Sequence, residues 1–216
     1  MPGSTPLVFS LVALVLLAVV LLVRRWIPGP GDSPRGLDRA TMEQALVRLG
    51  ELAAAEGHTL TLIVVGGAAM VLNYQSRYAT QDVDAFFVTP PEARQTRAWA
   101  KTVATELRLP ADWLNDGAKG FMQGVSYGPL LIDAPGIKVY QISPEQLLAM
   151  KLSAWRSAQD ISDATTVLAD LVRYYPNKPT LWHAVAPYTV HLKAQYAFEE
   201  LWERTYGDTD TPIDSD

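Results

Sequence analysis

The chain has 216 residues, carries 18 Lys and Arg against 23 Asp and Glu for a formal net charge of −5, and contains no cysteine. That length accommodates one domain with a sizeable core and an appendage. The lack of cysteine excludes disulfides and thiolate catalysis, and an acidic balance without a Lys/Arg cluster gives no footing for tight nonspecific RNA or DNA binding.

The appendage comes first. Residues 7–23 form an apolar run of 17 residues in which Ser10 is the only polar side chain, the lower end of what a membrane-spanning helix requires. Arg24, Arg25 and Trp26 follow directly, so the positive side is C-terminal. Residues 1–26 are therefore expected to be a single-pass anchor with the N-terminus outside and the main domain in the cytoplasm. A cleaved signal peptide would want a basic start and a small-residue cleavage site, which are lacking. Residues 27–37, rich in Pro and Gly, read as a loose linker.

Residues 38–143 alternate between helix and strand patterns and predict an α/β core with a mixed sheet. Met42, Ala45, Leu46, Leu49, Leu52 and Ala53 fall at helical spacing. Residues 60–65 (LTLIVV) are an apolar, β-branched strand stopped by Gly66 and Gly67. Without a Cβ, those two positions let the backbone turn sharply and approach a phosphate as a helix starts at Ala68. After a loop with Arg77 and Thr80 comes DVDAFFV, residues 82–88, whose period of 2 puts Asp82 and Asp84 on one strand face. Two carboxylates at that spacing repel unless a cation lies between them, and Mg²⁺ is the hard, oxygen-seeking choice that also takes phosphate oxygens. A DxD that caps a strand or faces solvent, and a Gly-Gly that only turns the chain, are the plainer readings.

Pro90 and Pro91 introduce a helix over 92–106, and Pro135-Gly136 turns a pair of strands within 130–142. Between them, Asn115 and Lys119 lie among Gly117 and Gly120, either to reach an anionic ligand or as a solvated loop. Asp133, just before Ala-Pro-Gly, is the only acid in the late strands and sits in turn chemistry.

Residues 144–206 read as helices over 144–155, 162–175 and 180–206, with Pro176, Pro179 and Pro187 as breaks, and residues 207–216 as a short, disordered acidic tail. Lys151 interrupts an apolar stripe of Leu147, Leu148, Leu152 and Trp155. Facing inward, it needs Asp82, Asp84, Asp160 or a nucleotide phosphate as partner; otherwise it snorkels into water. Asp160 and Asp163 share a helix face, and capping a helix at 164 accounts for one of them equally well. His183 and His191, eight apart, lack a zinc pattern.

GGAAMVL followed by RYATQDVDAFF resembles the minimal nucleotidyltransferase superfamily, and within it the branch of AbiE-type abortive-infection toxins. LPADWLNDGAKGFM, then PEQLLAMKLSA, then Asp160 and Asp163, resembles a largely uncharacterised bacterial nucleotidyltransferase-like family; the similarity spans about residues 38–206. The resemblance implies that Lys151 and Asp160 join Asp82 and Asp84 as catalytic residues. Two features depart from it: Ala68 stands where many active relatives carry a phosphate-holding Ser, and no clear third carboxylate follows.

The combined expectation is an α/β (α+β) nucleotidyltransferase-like sheet flanked by helices, with a C-terminal helical part and one N-terminal transmembrane helix. It would move a nucleoside monophosphate from an NTP to an acceptor, with Mg²⁺ on Asp82 and Asp84 and nucleotide contacts from Gly66, Gly67, Arg77, Thr80, Asn115 and Lys119. The acceptor class (protein, RNA or small molecule) stays open, and a toxin-like role would bring a cognate antitoxin. The alternative is a degenerate domain of the same fold that serves as a binding or scaffold module at the membrane.

Overall fold

A computed structural model describes residues 36–89, 93–117 and 124–212. The expected span at 7–23, most of the linker, Lys119 and the last four residues lie outside them. Among the described residues no helix is long and apolar enough to cross a membrane.

Strand β1 (Leu37–Asp38) leads into helix α1 (Arg39–Ala55), which the Asp38 carboxylate caps by accepting from the Thr41 N–H at 2.8 Å. Met42, Ala45, Leu46, Leu49 and Ala53 are buried along one stripe of α1, as their spacing predicts. Gly50 lies in the same stripe for a steric reason. A Cβ there would stand 2.7 Å from the Pro135 carbonyl oxygen, so the helix seats closely on the sheet only through a glycine.

Strand β2 (Leu60–Val64) is followed by a short helix α2 (Gly66–Ala69) that widens into a π turn at Met70–Tyr74. Then come β3 (Ala79–Thr80), β4 (Val83–Thr89), α3 (Ala93–Leu107), β5 (Leu114–Asn115), β6 (Tyr127–Ala134) and β7 (Ile137–Ile142). The main sheet has five strands in the order β5-β4-β2-β7-β6. β2 is antiparallel to β4 and parallel to β7, so the sheet is mixed. Residues in register share a face. Leu62, Val64, Val139 and Ala85 form one face, and α1 covers it at Ile137. Asp84, Phe86, Ile63 and Tyr140 belong to the other. Helix α3 buries Trp99, Ala100 and Val103, and Arg48 on α1 bonds to Glu106 on α3 at 2.7 Å.

The C-terminal part contains α4 (Pro144–Ala154), α5 (Ala158–Leu171), α6 (Lys178–Val185) and α7 (Lys193–Tyr206). The helical stretch over 180–206 is interrupted at Pro187, one of the breaks its prolines predict, so a single helix across it does not form. Ala186–Tyr188 is a 3₁₀ turn around Pro187 and Thr189 is extended, so His183 and His191 share no helix. Helix α5 also starts earlier than 162, because the Ser157 hydroxyl caps it by accepting from the Asp160 N–H. The stretch after α7 is tied back: the Trp202 indole donates to the Thr209 carbonyl, and the Lys178 N–H to that of Asp210.

Candidate functional site

The glycine turn and the acidic strand meet at one end of the sheet. Val65 donates its N–H to the Asp84 carbonyl at 3.0 Å, which fastens the start of the turn to β4. Gly66 has φ of 58°, a left-handed conformation that favours glycine. A Cβ on Gly66 would lie 3.8 Å from Asp84 Oδ2, so the carboxylate stands directly over the turn. Gly67 is pressed from the other side: a Cβ there would run into Thr80 Oγ1 and stand 3.5 Å from a terminal nitrogen of Arg77. Gly66, Gly67, Arg77, Thr80 and Asp84 are thereby gathered around one bend.

Asp82 immediately precedes β4 and joins them through β5. In the β4/β5 pairing Asp84 stands opposite Asn115, and the Asn115 amide donates to Asp82 Oδ2 at 2.8 Å. Burial pushes the Asp84 carboxyl above the usual carboxylate value, the Asp82 charge pushes the same way, and Asn115 opposes both. Among the described residues no group of three or more His, Cys, Asp and Glu gathers to hold a metal ion. Two carboxylates are what the site offers. Asp133 does not supply a third: it pairs with Lys138, which lies opposite Thr61, which lies opposite Thr89. Asp133 is therefore at the far end of β4's level and about 14 Å across the sheet from it, in an exposed ion pair with Lys138.

Lys151 is buried, as its place in the α4 stripe predicts, but its partner is Asp163. Nζ lies 2.6 Å from Asp163 Oδ2. Arg77 reaches the same carboxylate, donating from Nε to Oδ1 at 2.9 Å and from a terminal nitrogen to Oδ2. Gln159 adds a bond to Oδ1 at 3.0 Å. Burial alone would raise the fully buried Asp163 carboxyl, yet the bonds from Arg77 and Lys151 outweigh it and hold the group below its ordinary value. Asp160, expected beside Lys151, instead accepts the Ser157 hydroxyl at 2.9 Å in the first turn of α5. Of the two acids on that helix face, Asp163 and not Asp160 belongs with Lys151. The sequence carries a signal for it: at four and eight residues before Val167 and Leu171 it lies inside the α5 apolar stripe, where an acid requires a cation.

A buried strand, a glycine turn, a helix and a carboxylate pair at the start of the adjacent antiparallel strand define a domain of the nucleotidyltransferase kind. The chain belongs to a nucleotidyltransferase family of unknown function (DUF6036), matched over residues 44–174. The matched stretch contains the glycine turn, both strand carboxylates, Lys151 and Asp163. No curated protein and no solved structure matches the chain.

Proposed function

We propose that this protein transfers a nucleoside monophosphate from an NTP to an acceptor hydroxyl with the help of a divalent cation. The observation that carries the reading is the Asp84 carboxylate standing over the Gly66 turn with Asp82 held beside it. This donor set fits the cation: it is all oxygen and carries two carboxylates, and burial together with the Asp82 charge disfavours the ionised form of Asp84. Asp82 and Asp84 would hold Mg²⁺, which supplies neutralisation of charge at the phosphates.

The chain's own groups do the rest. The Cβ-free bend at Gly66 and Gly67 leaves room for the triphosphate, and Arg77 offers it a guanidinium nitrogen beside Gly67. Lys151 and Arg77 together carry one positive charge more than Asp163 cancels, which favours the anionic substrate at this end of the sheet. In the transfer the acceptor oxygen bonds to the α-phosphorus, the bond from that phosphorus to the bridging oxygen breaks, and pyrophosphate leaves. Asp163, rather than Asp160, orients Lys151.

The finer parts of the proposal rest on sequence: an AbiE-like activity paired with an antitoxin, and a tether at residues 7–23 holding the domain on the cytoplasmic side of a membrane. The test incubates the purified protein with each labelled NTP, Mg²⁺ and cell lysate. Label transfer that disappears in Asp84→Ala supports the reading. No transfer from any NTP, with no metal-dependent heat on mixing with nucleotide, supports instead a degenerate binding module, for which Ala68 in place of a hydroxyl residue speaks.

A further inference from the structure

β5 is only two residues long, yet it is firmly placed. Its neighbour Trp113 is fully buried, donating its indole N–H to the Ala100 carbonyl of α3 at 2.9 Å. The Trp113 carbonyl accepts the Val83 N–H at 2.6 Å, and Leu114 is 5% exposed. Anchored on both sides, β5 presents Asn115 opposite Asp84 and on the same sheet face.

Both ends of the Asn115 side chain are engaged. Nδ2 donates to Asp82 Oδ2 at 2.8 Å, and Oδ1 accepts the Gly117 N–H at 2.9 Å. The chemistry of the partners fixes the amide's orientation, because a carboxylate needs a donor and a backbone N–H needs an acceptor. Asp82 itself lies just before β4, outside the ladder, and this bond holds its side chain. An acid at position 115 would set a third carboxylate on the same face, next to Asp84 and Asp82. The amide fills that place without adding charge.

We infer that Asn115 is a positioning residue for Asp82, aiming one carboxylate at the cation site while keeping the site at two negative ligands. The inference rests on reading Asp82 and Asp84 as cation ligands. Asn115 then serves the cation rather than the nucleotide contact expected from its place near Gly117.

The test measures Mn²⁺ binding to the full chain without nucleotide, by the loss of the free-ion electron paramagnetic resonance signal, alongside the melting temperature. Asn115→Ala is expected to weaken Mn²⁺ binding by about 10–100-fold, the usual effect of removing a partner that orients a ligand. Asn115→Asp gives up the bond to Asp82 but adds a charged oxygen ligand, and is expected to bind Mn²⁺ at least as tightly as the wild type. Should Asn115→Ala not fold, Asn115→Ser replaces it, with the same weakening expected. An Asn115→Ala or Asn115→Ser variant that lowers the melting temperature yet leaves the Mn²⁺ affinity unchanged overturns the inference and makes Asn115 a fold element only. A wild-type chain that binds no Mn²⁺ overturns the reading of Asp82 and Asp84 instead.

Discussion

Arg77 forks onto Asp163 from 86 residues away in the chain, and so ties the loop beside the glycine turn to the C-terminal helices. Lys151 meets the same carboxylate from α4, which leaves one fully buried acid answering for two cations. Removing that acid strands both. Asp163→Ala is expected to cost about 3–5 kcal/mol, the range for breaking a buried ion pair by deleting one partner. Urea unfolding measures it. A double variant that also carries Lys151→Met is expected to recover part of the loss, because one stranded charge goes with it. Equal stability of single and double variants would show that Lys151 reaches water.

The same carboxylate makes stability depend on pH in a definite direction. Asp163 is held below its ordinary value of 3.8 in the folded chain. A depressed carboxyl contributes stability that is present above the unfolded value and is lost as pH falls through the folded one. The wild type is therefore expected to lose stability below about pH 4 more steeply than Asp163→Asn, which has no proton to take up there. Urea midpoints collected from neutral to acid pH check this; parallel curves would remove Asp163 as the source.

The pairing with Asp163 also marks where the sequence stops being readable. α1, β2, β4 and the β6/β7 hairpin follow from local patterns: apolar residues at helical spacing, β-branched runs, and Pro135-Gly136 at a turn. The meeting of the glycine bend with Asp84 follows too, since a short helix and loop return β4 alongside β2. What escapes is phase. With α5 started at 162 in place of Ala158, Asp160 and Asp163 look alike; the Ser157 cap fixes the helix earlier and turns only Asp163 into the core. Asn115 is legible as a candidate, but its partner is not. The bond to Asp82 depends on a two-residue strand pairing with β4, and so short a segment has no periodicity to detect.

Asp84 is expected to behave in the opposite sense to Asp163. Burial first, and the Asp82 charge second, make its ionised form unfavourable in the folded chain. A raised carboxyl keeps its proton longer when folded, so stability falls as pH rises from the unfolded value of 3.8 through the folded one, and the deficit persists at neutral pH. Asp84→Asn removes it. The variant is expected to melt higher than the metal-free wild type, with a gain of up to about 2 kcal/mol, while losing Mn²⁺ binding and transfer. Scanning calorimetry in the presence of a chelator is the measurement. A lower melting temperature would mean that Asp84 is held by the fold rather than kept for a ligand.

Gly66 and Gly67 are adjacent and both lack a Cβ, but alanine is expected to fail at them for different reasons. At Gly66 there is room, since the nearest atom to an added Cβ is 3.8 Å away, but φ of 58° is costly for alanine. Gly66→Ala is expected to lose about 1–2 kcal/mol from conformation alone. At Gly67 the conformation is ordinary and the obstacle is Thr80, whose Oγ1 an added Cβ would strike and whose Cβ would lie 3.1 Å away. β3 lies outside the main sheet and pairs with β1 over two residues, so it is the part that would shift, carrying Thr80 away from the bend. Gly67→Ala is expected to cost about 1–3 kcal/mol, as overpacking does, and to weaken nucleotide binding. Adding Thr80→Ala to each variant separates the causes. It should restore part of the stability lost in Gly67→Ala, with a coupling of about 0.5 kcal/mol or more, and none of that lost in Gly66→Ala. Equal rescue of both, or of neither, would place the strain somewhere other than the contact between the turn and Thr80.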